Sequence, residues 1–198
     1  MKTIIGFFSV LAIVCLCSSV FSAEQAWDPQ RDVLALASSD KTVRDKTSSD
    51  LREVRQEIIR GLLRIAGQES AAGDQGFFGS RELSINLIGA YHAKEAVPFL
   101  VDNVNLEVPT EGSTLSPYEG FPCVVALIHI GLPSIAGIID RLDKPVTEQE
   151  LSLFATVSRG VEGPDFAVMR LDLAMKKTSG QKLDNLRKLR DLVKTRKW

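Results

Sequence analysis

LIGAYHAKEAVPFLVDNV, Leu87 to Val104, is the stretch that decides the fold. A helical pattern starting at Arg81, with Leu83, Leu87 and Ile88 apolar, reaches Gly89 and stalls over a few polar residues. It restarts from Glu95, with Val97, Leu100, Val101 and Val104 recurring at three- and four-residue steps. Pro98 falls in the first turn of the restarted helix, where a missing N–H loses no intrahelical bond. A helix that stops and restarts over so short a break folds back on itself as a hairpin. One hairpin cannot bury its apolar face alone, so neighbours of the same kind are expected.

The chain supplies a neighbour. Cys123 to Ile130 repeats the helical pattern, Gly131 and Pro133 interrupt it, and Ser134 to Leu142 resumes it. Val97-Pro98-Phe99-Leu100 aligns with Ile135-Ala136-Gly137-Ile138 at an offset of 38 residues, and the preceding NLIGAY matches ALIHIG in character. A period of that length, built of paired helices, is the mark of an α-solenoid. These residues also resemble HEAT-like repeats, in which a first helix ends in an apolar-apolar-Gly turn and a second opens with an Ala-Val-Pro-x-Leu run. Gly89, Ala96, Val97, Pro98 and Leu100 fit that pattern. In the second copy Gly131, Pro133, Ile135 and Ile138 fit, whereas Ala136 and Gly137 stand where Pro and Ala are usual. A third copy, Leu151 to Lys176, fits in helix spacing only. The resemblance is clear over Glu82 to Leu142. It implies an all-α fold, a short right-handed α-solenoid of two to three hairpins with flanking helices, and it implies no activity.

The remaining segments are read by the same rules. Residues 23–49 form a polar lead-in. Within it DPQRDVLALAS makes a short helix capped by Asp28 with Pro29 at its first position, and SSDKTVRDKTSSD reads as linker. Leu51, Val54, Ile58, Leu62 and Ile65 mark a helix over Asp50 to Ala66, capped by Ser49 or Asp50 and ended by Gly67. Gly67 to Ser80 is Gly-rich and reads as a loop, with Phe77 and Phe78 tucked back onto the core or exposed as an aromatic contact. Asn105 to Pro122 is a long connection, either a plain insertion or a functional loop. Thr147 and Glu150 form a capping box ahead of Leu151, Phe154, Ala155 and Val157. Gly160 and Gly163-Pro164 read as breaks. Phe166, Val168, Met169, Leu171 and Leu173 then exceed one narrow face, so deep burial is expected over Asp165 to Met175. Leu183, Leu186, Leu189 and Val193 mark a last helix, and no segment alternates as a strand does.

Residues 1–22 read as a signal peptide: Lys2, an apolar run from Ile4 to Leu16, and small residues around a cut after Ser22. The repeat domain is then 50–198, exported to periplasm or medium. The alternative is an N-terminal anchor retained over Ile4 to Phe21. Cys15 and Cys17 leave with the leader, so Cys123 is the one cysteine of the remainder and the fold must be held by packing. An apolar context makes it a buried thiol, against an intermolecular disulfide or a reactive group. Ile65 to Asp165 carries 5 basic and 14 acidic residues, and Lys176 to Trp198 carries 9 basic and 2 acidic, so the two regions differ in potential.

Little here points to chemistry. His92 and His129 lack the spaced partners of a zinc or iron site; the alternative is an approach of the two across adjacent repeats. Cys123 and His129 fall on different helix faces, and neither Gly-rich stretch is a phosphate loop. No enzyme activity, metal, cofactor or nucleic-acid partner is expected. The leading expectation is a protein-interaction or scaffold module that recognises another protein through the surface of its second helices: Lys94, Asp102, Asn103, Asp140, Arg141 and Asp143. The alternative is docking to an anionic membrane or acidic partner through Lys182, Arg187, Lys188, Arg190, Lys194, Arg196 and Lys197, with Trp198 as an interfacial anchor. A plain capping role for that last helix competes with the alternative.

Overall fold

The structure, a computed structural model, describes residue 35 and residues 39–68, 75–108 and 120–195, with backbone alone for 75–78. The described residues are all-helical, without strands: α1 (Lys41–Ala66), α2 (Gln75–Ala90), a 3-10 turn (Lys94–Ala96), α3 (Val97–Asp102), α4 (Pro122–Ile130), α5 (Leu132–Arg141), α6 (Glu148–Met175) and α7 (Gly180–Thr195). The chain divides into two compact units, residues 1–61 and 62–198.

In the first unit the described residues form most of α1. This helix starts at Lys41, where a linker was expected, and Asp40 caps it by accepting the Thr42 N–H at 2.8 Å. The Ser- and Thr-rich segment has no apolar period to announce a helix. A capped start and continuity with the amphipathic part hold it in helical form. The buried positions of α1 are Ile59, Leu62 and Ala66, and Ile58 is exposed, so the inward face lies about one residue from the expected one.

In the second unit, α2 packs on α4 and α4 on α6, while α3 packs on α5, which also meets α6. Helix α7 lies along α6. Small residues set how closely these helices approach. A Cβ on Gly89 would stand 2.8 Å from Ala126 Cα at the α2–α4 contact. One on Gly137 would stand 2.3 Å from Val97 Cγ1 at the α3–α5 contact. Gly137, a departure from the repeat pattern by sequence, is therefore the residue that lets α3 settle on α5. Fully buried Ile85, Ile88, Leu100, Leu127, Ile138 and Phe154 fill the space between, each worth roughly 1.5–3 kcal/mol relative to exposure.

The turns revise the sequence reading. Helix α2 begins at Gln75, inside the expected loop, and continues through Gly89 to Ala90. The reversal falls on His92, whose φ is 48°, and Gly89 serves packing. Between α4 and α5 the turn is Gly131 as expected, with φ 83°. Gly160 is not a break. It is helical, and a Cβ there would stand 2.9 Å from Ile128 Cδ1, so it admits α4 against α6. The break in α6 is Gly163, at φ 76° and ψ 163°, with Pro164 opening a second arm. A side chain at either Gly131 or Gly163 would be strained by the positive φ. Pro98 sits in the first turn of α3, and the Thr147–Glu150 capping box is present, with N–H···O distances of 2.7 and 3.1 Å.

The side chains of Phe77 and Phe78, residues 109–119 of the long connection, the expected leader and most of the lead-in lie outside the described residues. The two ends of that connection meet, since Val108 N–H donates to Gly120 O at 2.8 Å.

Candidate interaction surface

Five of the six residues expected to recognise a partner, all but Lys94, lie at the C-terminal ends of α3 and α5, where helix carbonyls lack intrahelical donors and attract cations. Arg141, the last residue of α5, is the hub. Its Nη2 meets Glu150 Oε1 of α6 at 3.1 Å, and its Nη1 donates to Pro145 O at 2.9 Å. Its Nε lies 3.0 Å from Asp102 Oδ1 at the end of α3, yet that N–H makes no hydrogen bond. The distance is that of an ion pair, and the N–H points off the line to the oxygen. Lys144 adds a longer contact to Asp102 at 3.8 Å. Asp143 and Asp140 face Lys182 of α7 at 3.0 and 4.0 Å. Asn185, buried in α7, donates to Leu142 O at 3.0 Å and to Lys144 O at 3.4 Å. Asn103 turns its amide onto Phe99 O at 2.8 Å. Lys94 stands exposed in the 3-10 turn. Four of the six residues, Asp102, Asp140, Arg141 and Asp143, are thus held in ion pairs that clamp α3, α5, α6 and α7 together. They form a structural seam between these helices.

The basic helix is also partly committed. Lys182 is taken by the seam, Arg187 meets Asp184 at 3.3 Å, and Arg190 meets Asp191 at 2.9 Å and Asp172 at 3.4 Å. The hydrogen bond to Asp191 raises the Arg190 pKa above its ordinary value. Lys188 and Lys194 are exposed. Arg196, Lys197 and Trp198 lie outside the described residues.

The histidines and the cysteine take structural places. His92 does reach the neighbouring hairpin, where its Nδ1 contacts the His129 carbonyl. A carbonyl only accepts, so Nδ1 carries the proton in this contact. It ties the α2–α3 turn to the end of α4. Cys123 is fully buried, and burial pushes its thiol pKa up to about 12, against a smaller lowering by Arg81. Among the described residues no group of three or more His, Cys, Asp or Glu is arranged to hold a metal. Among them, too, no helix is long and apolar enough to cross a membrane.

The surface that the sequence reading missed is the second arm of α6. Phe166, Met169 and Leu173 were expected deep in the core, yet they are 64%, 54% and 52% exposed. Their three- and four-residue spacing makes one stripe. Ala167 and Leu171 turn inward and are buried, and Val168 is half-buried. An apolar count too high for one face was the available signal, and it fits either a helix buried all round or one with a second partner. Arg170 fixes the arm across the Gly163 break by donating from Nε to both Glu162 carboxylate oxygens, at 2.8 and 2.9 Å. That hydrogen bond raises the Arg170 pKa.

Among the described residues the fold is all-helical, with an apolar stripe exposed on the second arm of α6. Protein-family models, curated proteins and solved structures offer no match to this chain.

Proposed function

We propose that the chain is an exported, non-enzymatic protein-interaction module, built as a short right-handed α-solenoid of HEAT-like hairpins. The hairpins are α2/α3, α4/α5 and the two arms of α6, and α7 caps the stack. Two contacts support the stacking, His92 on the His129 carbonyl and Gly160 against Ile128, because both put the ends of successive first helices at one edge. Export rests on the apolar run from Ile4 to Leu16 and the small residues after it.

The observation that carries the interaction reading is the exposed Phe166–Met169–Leu173 stripe. Apolar side chains clustered on one face mark contact sites, whereas scattered ones do not. The anionic-surface alternative has less to draw on, because Lys182, Arg187 and Arg190 are paired within the chain. The test is capture from the native envelope fraction by the tagged mature chain with Cys123 intact, at low and at physiological salt. A protein retained in stoichiometric amount at both salts, and lost by the Phe166→Ser/Met169→Ser variant, is the expected result. Capture of lipid or polyanion alone, fading as salt rises, would move the function to α7.

A further inference from the structure

We propose that the occupant of this stripe is a second copy of the chain, with the second arms of two α6 helices packed antiparallel about a two-fold axis near Met169. The proposal rests on the interaction reading and names its partner.

The stripe matches itself under that operation. Phe166 lies three residues before Met169 and Leu173 four after it. In an antiparallel pair the two Met169 side chains meet near the axis, and each Phe166 meets Leu173 of the other copy. A two-fold contact uses the same patch on both subunits, so a patch complementary to its own reverse is what it requires.

The charges agree. Arg170 is held by Glu162 at 2.8 Å, and Asp172 faces Arg190 at 3.4 Å. Among the described residues, Asp165 at the start of the arm and Lys176 and Lys177 at its end are exposed and form no ion pair. An antiparallel copy sets each Asp165 toward the basic end of the other, twice over. A parallel copy sets like against like. An anionic bilayer would attract the lysines and repel Asp165, which sits beside the apolar contact itself. Mixed signs at opposite ends of one apolar stripe therefore favour the chain's own reverse.

The area sets the strength. A standard interface takes about 800 Å² from each partner, and three half-exposed side chains with their rim supply less. Association is expected to depend on concentration, with a dissociation constant of roughly 10–100 µM.

Sedimentation equilibrium on the mature chain, from Ala23 onward, tests this, over loading concentrations from about 5 to about 500 µM that bracket the expected constant. The mass should move from one chain toward two. Met169→Glu places two like charges at the axis and should weaken association at least about tenfold. Asp165→Lys and Lys177→Asp should each weaken it, and the double variant Asp165→Lys/Lys177→Asp should recover it. Circular dichroism of each variant checks that the fold is kept, as expected for exposed positions. A single-chain mass throughout would overturn the dimer. So would a Met169→Glu variant that associates like the parent, or a charge-swapped double no better than the singles. The envelope capture separates this from the wider reading. Untagged copies of the chain on the tagged bait support the dimer. A different protein, lost with the stripe while the chain stays monomeric, removes the dimer and leaves the interaction reading standing. No protein captured and no dimer removes both.

Discussion

Helix α5 and the second arm of α6 begin alike and end in opposite situations. Each follows a glycine of positive φ, Gly131 or Gly163, and each carries proline in its first turn. Each is rich in large apolar residues. Yet α5 buries Ile135 and Ile138, while the arm of α6 buries Ala167 and Leu171 and leaves Phe166, Met169 and Leu173 exposed. The difference lies in the neighbours. Helix α5 has α3, α4 and α6 against it, and Arg141 locks its end to Asp102 and Glu150. The arm of α6 has an outer face that no described helix covers. Apolar content shows that a helix wants partners, and the helices that pack against it decide how much of that content is buried.

The comparison breaks most sharply at Gly137. A Leu there would drive its side chain into Val97, whose Cγ1 stands 2.3 Å from the site of a Cβ. Gly137→Leu should lower stability by about 3 kcal/mol, read as a fall in the urea midpoint. Next is the hub. Arg141→Met leaves Glu150, a side chain 10% exposed, without its cation. The expected loss is about 2 kcal/mol, below the figure for a fully buried pair because Asp102 stays half exposed. Thr147→Ala removes the cap on the first arm of α6 and should lose about 1 kcal/mol. Both losses are measurable as shifts in thermal unfolding.

Cys123 gives a pH-dependent effect, seen only above pH 9.0. Its thiol pKa is raised from 9.0 to about 12 by burial. The folded chain keeps a proton that the unfolded chain gives up, so this contribution is complete below pH 9.0 and is lost as pH rises toward about 12. Cys123→Ala should flatten that part of the stability profile. At pH 8 the parent's thiol should resist alkylation when native and react once unfolded in urea.

Much of the fold could be read from the sequence, because short-range signals mark it. The hairpin break between Tyr91 and Glu95, Pro98 in a first turn, the Thr147–Glu150 box, Gly131 and Gly163 all act within a few residues. The start of α1 could not be read, because a Ser- and Thr-rich segment carries no apolar period. Gly89 and Gly160 resemble breaks, and only the approach of Ala126 and Ile128 shows that they are contact points. The sequence shows charged residues on the second helices, Asp102, Asp140, Arg141 and Asp143 among them, but not what they pair with. Their pairing with Lys182 and Glu150 depends on segments far along the chain, so their structural use was hidden. The stripe on α6 failed for the same reason: periodicity counts apolar residues, and burial depends on what arrives from elsewhere.

The most direct measurement compares the two helices by urea unfolding of Ile138→Ser on α5 and of Phe166→Ser/Met169→Ser on the arm of α6, at a concentration low enough to keep the chain monomeric. Ile138→Ser should lose about 3 kcal/mol or more, and the double variant no more than about 0.5 kcal/mol at each position. Comparable large losses from both would mean that the arm of α6 belongs to the core, and would contradict the interaction surface on which the functional reading stands.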